Sequence, residues 1–224
     1  MKLNKRIVTV GLLILAAAIV LKVLWIGLSK IKIDDFKPAG VVFVIDSSAS
    51  NQEKLPEQKK LLKQICNILD PEDQIKILRV SEDAYLIYEG APTNGSGITK
   101  AMDAFTQYDA NDYGTAYGEG LKKAFNHCLN MKKSGLVPAI VVIGDLENEG
   151  AIEKQIDWKL LPDNVKSVLE FAPDLSMMFL NAHPAKLDLV KETLTPVLGE
   201  THLIVAPEQT SDKAIRSFLT AIGR

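Results

Sequence analysis

Residues 41–50 read VVFVIDSSAS: an apolar run, one aspartate, then serines at alternate positions. A run this apolar, without polar alternation, fits a strand covered on both faces. Its ending has two readings. Asp and Ser favour turns and helix N-caps, so Asp46, Ser48 and Ser50 would merely close one element and open the next. The same three side chains are also hard oxygen donors of the kind that surround Mg²⁺ or Ca²⁺. The choice depends on what other strands bring to the same edge.

Downstream, apolar runs alternate with helical patterns. Strands are predicted at 40–46, 75–81, 84–90, 138–145, 176–182 and 201–206, and helices at 53–69, 96–106, 115–131, 151–160, 185–198 and 211–222. Only Glu82 and Asp83 separate the second and third strands. That is too short for a crossover, so this pair is a hairpin. The expected architecture is α/β: a doubly wound, mostly parallel central sheet with one antiparallel edge strand, occupying 39–224. The stretch 146–175 reads either as two helices or as a helix and a loop.

In open α/β sheets, ligands bind beyond the carboxyl ends of the strands. Two predicted strands end in aspartate, VVFVID at Asp46 and AIVVIGD at Asp145. If they are neighbours, both carboxylates stand at one rim. NDYGTAYGEGL adds Thr115, after a glycine and at the expected start of a helix.

Taken together, Asp46-Ser47-Ser48-Ala49-Ser50, Gly114-Thr115 and Gly144-Asp145 resemble the metal-ion-dependent adhesion site of the von Willebrand factor A (integrin I-like) family. One departure is GDLENEG, where many members have TDG; it keeps the carboxylate of Asp145. The resemblance implies five metal ligands: Asp46, Ser48, Ser50, Thr115 and Asp145. Hydroxyls and carboxylates favour Mg²⁺, with Mn²⁺ or Ca²⁺ as substitutes. It also implies recognition rather than catalysis, the ion's shell being completed by an Asp or Glu carboxylate of a partner protein. Several bacterial relatives work beside AAA+ ATPases or membrane machinery, which makes such partners an expectation by analogy. The alternative is a structural subunit of a membrane assembly whose metal only stabilises the fold.

The N-terminus differs in kind. Residues 1–6 (MKLNKR) are basic, and 7–28 (IVTVGLLILAAAIVLKVLWIGL) carry one charge, Lys22. Twenty-two helical residues span roughly 33 Å, enough for a hydrocarbon core of about 30 Å. Fourteen Leu, Ile or Val residues stand against that lysine. At about −0.3 to −0.6 kcal/mol each, they outweigh about +2.5 to +3.5 kcal/mol for Lys22. A transmembrane signal anchor is expected at 7–28, with 29–38 as a tether ending in Pro38. Lys2, Lys5 and Arg6 favour a cytoplasmic N-terminus and an extracytoplasmic domain.

Other classes find little support. The formal net charge of −2 shows no basic excess for nucleic acid. There is no phosphate-binding glycine motif. A haloacid dehalogenase-type hydrolase would need a second Asp where Ser48 stands. His127, His183 and His202 lie in separate elements, with nothing in the sequence to make them converge. Cys66 and Cys128 belong to helices expected on opposite sheet faces, so free thiols are predicted. Asp109, Asp112, Glu119, Glu147 and Glu149 are candidates for an acidic collar around the site. The last predicted helix has one apolar face, Ala214, Ile215, Phe218, Leu219 and Ile222, suited to packing or to a sliding switch.

Overall fold

The computed structural model describes residues 37–104, 114–147, 149–207 and 211–224, with Lys22 besides. All of these but Lys22 belong to one compact unit, Lys37–Arg224. The span expected at 7–28 lies outside the described residues. Among the described residues no helix is long and apolar enough to cross a membrane.

The unit opens on β1 (Ala39–Asp46), every residue of which is buried. A 3-10 turn (Ala49–Lys54) leads into α1 (Leu55–Cys66), then β2 (Gln74–Val80), β3 (Ala84–Gly90) and α2 (Gly95–Ala104). After residues 105–113 come α3 (Tyr117–Lys133), β4 (Val137–Ile143), a 3-10 turn (Ile152–Lys154), α4 (Leu161–Leu169) and β5 (Ser176–Leu180). The order ends with α5 (Pro184–His202), β6 (Leu203–Ala206) and α6 (Ser211–Ala221). The sheet order is β3-β2-β1-β4-β5-β6. β3 pairs antiparallel with β2, and every other pairing is parallel.

The pleat explains why β1 is apolar without alternation. Val41, Phe43 and Ile45 face a core built with α1, α2 and α6. Val42 and Val44 face the opposite core, built with α3, α4 and α5. Each residue is in, whichever way it points. The two cysteines divide the same way, Cys66 in the first core and Cys128 in the second, and both are free. Burial pushes both thiols up, Cys66 to about 12. The apolar face of α6 is wholly buried in the first core.

Several expected elements are corrected. No helix occupies 151–160: one 3-10 turn stands there, and the helix starts at Leu161. Pro162 falls in its first turn, where a missing N–H costs nothing, so the proline opens a helix rather than ending one. The loop before it packs against α3 where a Cβ on Gly118 would lie 2.1 Å from the Gln155 carbonyl oxygen. β4 and β5 stop at Ile143 and Leu180, two residues early in each case. β6 starts at Leu203 because α5 continues to His202, bent at Gly199, whose φ of 72° breaks the helical path. Thr115 does not open α3; it stands two residues before it, in an isolated bridge with Glu149.

Candidate metal centre

β1 and β4 are neighbours, so their two aspartates come to one rim. Asp46 is fully buried and Asp145 is 8% exposed. Ser48 sits at the start of the 3-10 turn, but its side chain makes no capping bond. Its amide instead donates to Asp46 Oδ1 at 2.8 Å, and its hydroxyl also bonds the Asp46 carboxyl. The Ser48 hydroxyl and amide therefore serve the carboxylate, while its carbonyl accepts from the Asn51 amide in the turn. Ser50 lies on the same turn, with its side chain outside what the structure describes.

The two carboxylates are joined by a residue that sequence reasoning missed. Asn51 Nδ2 donates to Asp145 Oδ2 at 2.7 Å and also to Asp46 Oδ2. Lys54, one turn on, holds its ammonium 3.7 Å from the same Asp145 oxygen. The amide of Glu147 caps Asp145 Oδ1 at 2.9 Å. A buried polar residue just after D-x-S-x-S was the available signal, but spacing alone does not separate it from an exposed one.

Tyr117 is the second missed residue. Fully buried at the start of α3, its hydroxyl donates to Asp46 Oδ2 at 2.7 Å and accepts from the Leu146 amide at 3.3 Å. This explains the departure from TDG. A Cβ at Gly144 would lie 2.0 Å from the Tyr117 hydroxyl and 2.6 Å from Asp46 Cβ, and φ there is 155°. The tyrosine fills the space that a larger residue at 144 would claim. Next to it, Leu146 is buried at a φ of 62°, a conformation leucine adopts only when its surroundings hold it.

Thr115 reaches the same rim with its backbone fixed on both sides. Its amide donates to the Glu149 carbonyl at 2.9 Å, and the Ala116 amide to the Ser81 carbonyl at 2.7 Å. Thr115 itself is 1% exposed. The loop behind Asp145 is thus tied to the segment that carries Thr115.

Charge bookkeeping marks the site. Burial, foremost, pushes the Asp46 carboxyl up from its ordinary 3.8 to about 6; bonds from Ser48 and Tyr117 oppose it and Asp145 adds repulsion. Burial and the nearby carboxylates hold the Tyr117 phenol protonated, so it remains a donor. Two adjoining carboxylates held mainly by neutral donors leave negative charge uncompensated, and oxygen-rich rims of this kind fit a hard cation. Among the described residues no three Asp, Glu, His or Cys side chains gather into one cluster, so a cation at this rim would rest on two carboxylates and neutral oxygens.

The acidic collar is reduced. Glu147 pairs with Lys186 at 3.2 Å and Glu119 with Lys123 at 3.5 Å, while Asp109 and Asp112 lie outside the described residues. The histidines stay apart: His127 lies beside Lys76, and His183 caps α5. His202 bonds the Ser176 hydroxyl at 2.9 Å, but that serine is fully buried in β5 and out of reach of a substrate.

The family model of the von Willebrand factor type A domain matches residues 41–148, a stretch that contains all five candidate ligands. Solved structures share the fold. A von Willebrand factor type A protein from Catenulispora acidiphila superposes with a TM-score of 0.57 at 16% identity, over 84% of this chain and 43% of that one. The chain thus spans less than half the length of that relative. The conserved hypothetical protein BatB from Bacteroides thetaiotaomicron gives 0.56 at 14% identity, over 82% of this chain and 98% of that one. An aerotolerance-related membrane protein from Bacteroides fragilis, bearing multiple mutations to serines, gives 0.56 at 17% identity, over 82% and 98%. At such identities the likeness is one of fold. No curated protein gives a significant match to the chain.

Proposed function

We propose that this chain is a membrane-anchored A-type domain that binds a partner protein through a divalent cation. The convergence of two buried carboxylates, Asp46 and Asp145, on one point of the rim carries the reading. Asp46, Ser48, Ser50, Thr115 and Asp145 would hold Mg²⁺, or Mn²⁺ or Ca²⁺ in its place. The bound ion supplies an electrophilic position that an Asp or Glu carboxylate of the partner can fill in a medium of low dielectric. On this reading the chain recognises and does not catalyse. Anchorage at 7–28, with the N-terminus cytoplasmic and the domain outside, rests on the apolar N-terminal run and its flanking charges. The fold shared with an aerotolerance-related membrane protein is consistent with that setting.

The test uses the full chain in mild detergent, immobilised and exposed to solubilised membrane proteins with Mg²⁺, with EDTA, and as Asp46→Ala and Ser48→Ala. Partner capture that needs Mg²⁺ and is lost in both variants is the expected result. Capture indifferent to all of these overturns recognition through the metal. If Mg²⁺ still raises the melting temperature in that case, the structural-subunit alternative takes its place.

A further inference from the structure

The side chain of Asn51 lies between the two carboxylates and shows them its nitrogen. Nδ2 donates to Asp46 Oδ2 and, at 2.7 Å, to Asp145 Oδ2. A cation bound at once to Asp46 Oδ2 and Asp145 Oδ2 would compete for the place of this nitrogen, because metal–oxygen distances of about 2.0–2.6 Å match the space the amide fills. The other end of the amide is unusual: Asn51 is fully buried, yet its Oδ1 has no hydrogen-bond partner. Lys54, three residues later on the same 3-10 turn, brings a positive charge 3.7 Å from Asp145.

Resting on the metal-site reading above, we propose that Asn51 and Lys54 form a built-in stand-in for the cation, making metal uptake an exchange. In the metal-free site the amide N–H groups and the ammonium hold the carboxylates together. When a divalent ion enters, the Lys54 contact is released. The Asn51 amide turns about χ2, and its orphaned oxygen becomes a further neutral ligand. Each orientation suits one state: a donor faces bare carboxylates, and an acceptor faces a cation. The arrangement keeps two like charges preassembled without metal, and it lowers metal affinity by the strength of the contacts that must be given up. The 3-10 turn Ala49–Lys54 carries Ser50, Asn51 and Lys54 together. A partner pressing on that turn would therefore change metal affinity, and the reverse must hold by linkage.

The test is calorimetric titration of the full chain with Mg²⁺, alongside melting in EDTA, for wild type, Lys54→Gln, Asn51→Asp and Asp46→Ala. Lys54→Gln removes a competitor only. Its lysine is partly exposed, so Mg²⁺ affinity is expected to rise about threefold to tenfold. Asn51→Asp deletes the donor and adds a third carboxylate; affinity is expected to rise tenfold or more, with a lower melting temperature in EDTA. If wild type binds Mg²⁺, Asp46→Ala does not, and neither turn variant binds more tightly, the exchange is overturned while the metal site stands. Binding by the variants but not by wild type supports the stand-in and removes metal dependence from the native chain. No binding by any form overturns both.

Discussion

Both ends of the sheet bury aspartate, one residue at the amino end and two at the carboxyl end, and they treat it in opposite ways. At the amino end Asp73 is 1% exposed and fully matched. It accepts from the Ala39 amide at 2.6 Å, the Asp70 amide at 2.8 Å and Arg224 Nε at 3.1 Å, with a further bond from the same guanidinium. That guanidinium also donates to the Lys37 carbonyl, so it ties the end of α6 to the entry of β1. At the carboxyl end, Asp46 and Asp145 adjoin each other, and the lysine paired with Asp145, Lys54, is partly exposed. Polar atoms without partners collect along that rim as well: Asn51 Oδ1, Ser81 Oγ and both amide atoms of Asn181. A matched charge holds the fold together, whereas an unmatched set costs stability and is what a binding site looks like.

The sharpest way to break this contrast is to remove one charge from each end. Asp73→Asn takes from Arg224 its buried counter-ion, leaving only the half-exposed Asp70 at 3.3 Å, and is expected to cost about 3 kcal/mol in urea unfolding, unchanged by Mg²⁺. Asp46→Asn should behave differently: in EDTA it relieves a charge that folding has strained, so its cost is far smaller. Equal losses at both ends would erase the distinction.

A pH series sharpens the same point. In EDTA the folded Asp46 carboxyl titrates at about 6 rather than 3.8. A raised carboxyl contributes stability that is complete below about 3.8 and is lost as pH climbs through about 6. The stability of wild type minus that of Asp46→Asn should therefore fall on the order of 2–3 kcal/mol across that window. A flat difference would mean that Asp46 is better solvated or better paired than its burial implies.

The smallest expected effect concerns how the rim is packed. Gly144→Ala pushes a methyl group into the Tyr117 hydroxyl and should cost about 1–3 kcal/mol. In a Tyr117→Phe background part of that loss should vanish, because the clashing oxygen is gone. Simple additivity in a urea double-mutant cycle would show that Tyr117 is not what excludes a side chain at 144.

How much of this could be read from residues alone follows a physical line. The apolar run of β1, the two-residue gap of the hairpin and the opposite faces of Cys66 and Cys128 follow from local pattern plus chain handedness, and all three hold in the fold. The two strand-end aspartates were legible because neighbouring parallel strands share a rim. Asn51, Lys54 and Tyr117 were not, because their roles come from side-chain direction, which spacing does not encode. Gly144 was a clue to the tyrosine: a missing side chain at a crowded position means that something else fills the space. The region 151–160 misled because its local pattern does not mark the helix start, which is set by Pro162 in the first turn of α4.

The most direct test is anomalous scattering from crystals of the protein soaked in Mn²⁺. The account predicts a single strong peak at the rim, within coordination distance of Asp46 and Ser48 and close to Thr115 and Asp145, with the Asn51 nitrogen no longer bridging the two carboxylates. No manganese at that position, with Asn51 still joining Asp46 to Asp145 in saturating metal, would contradict it.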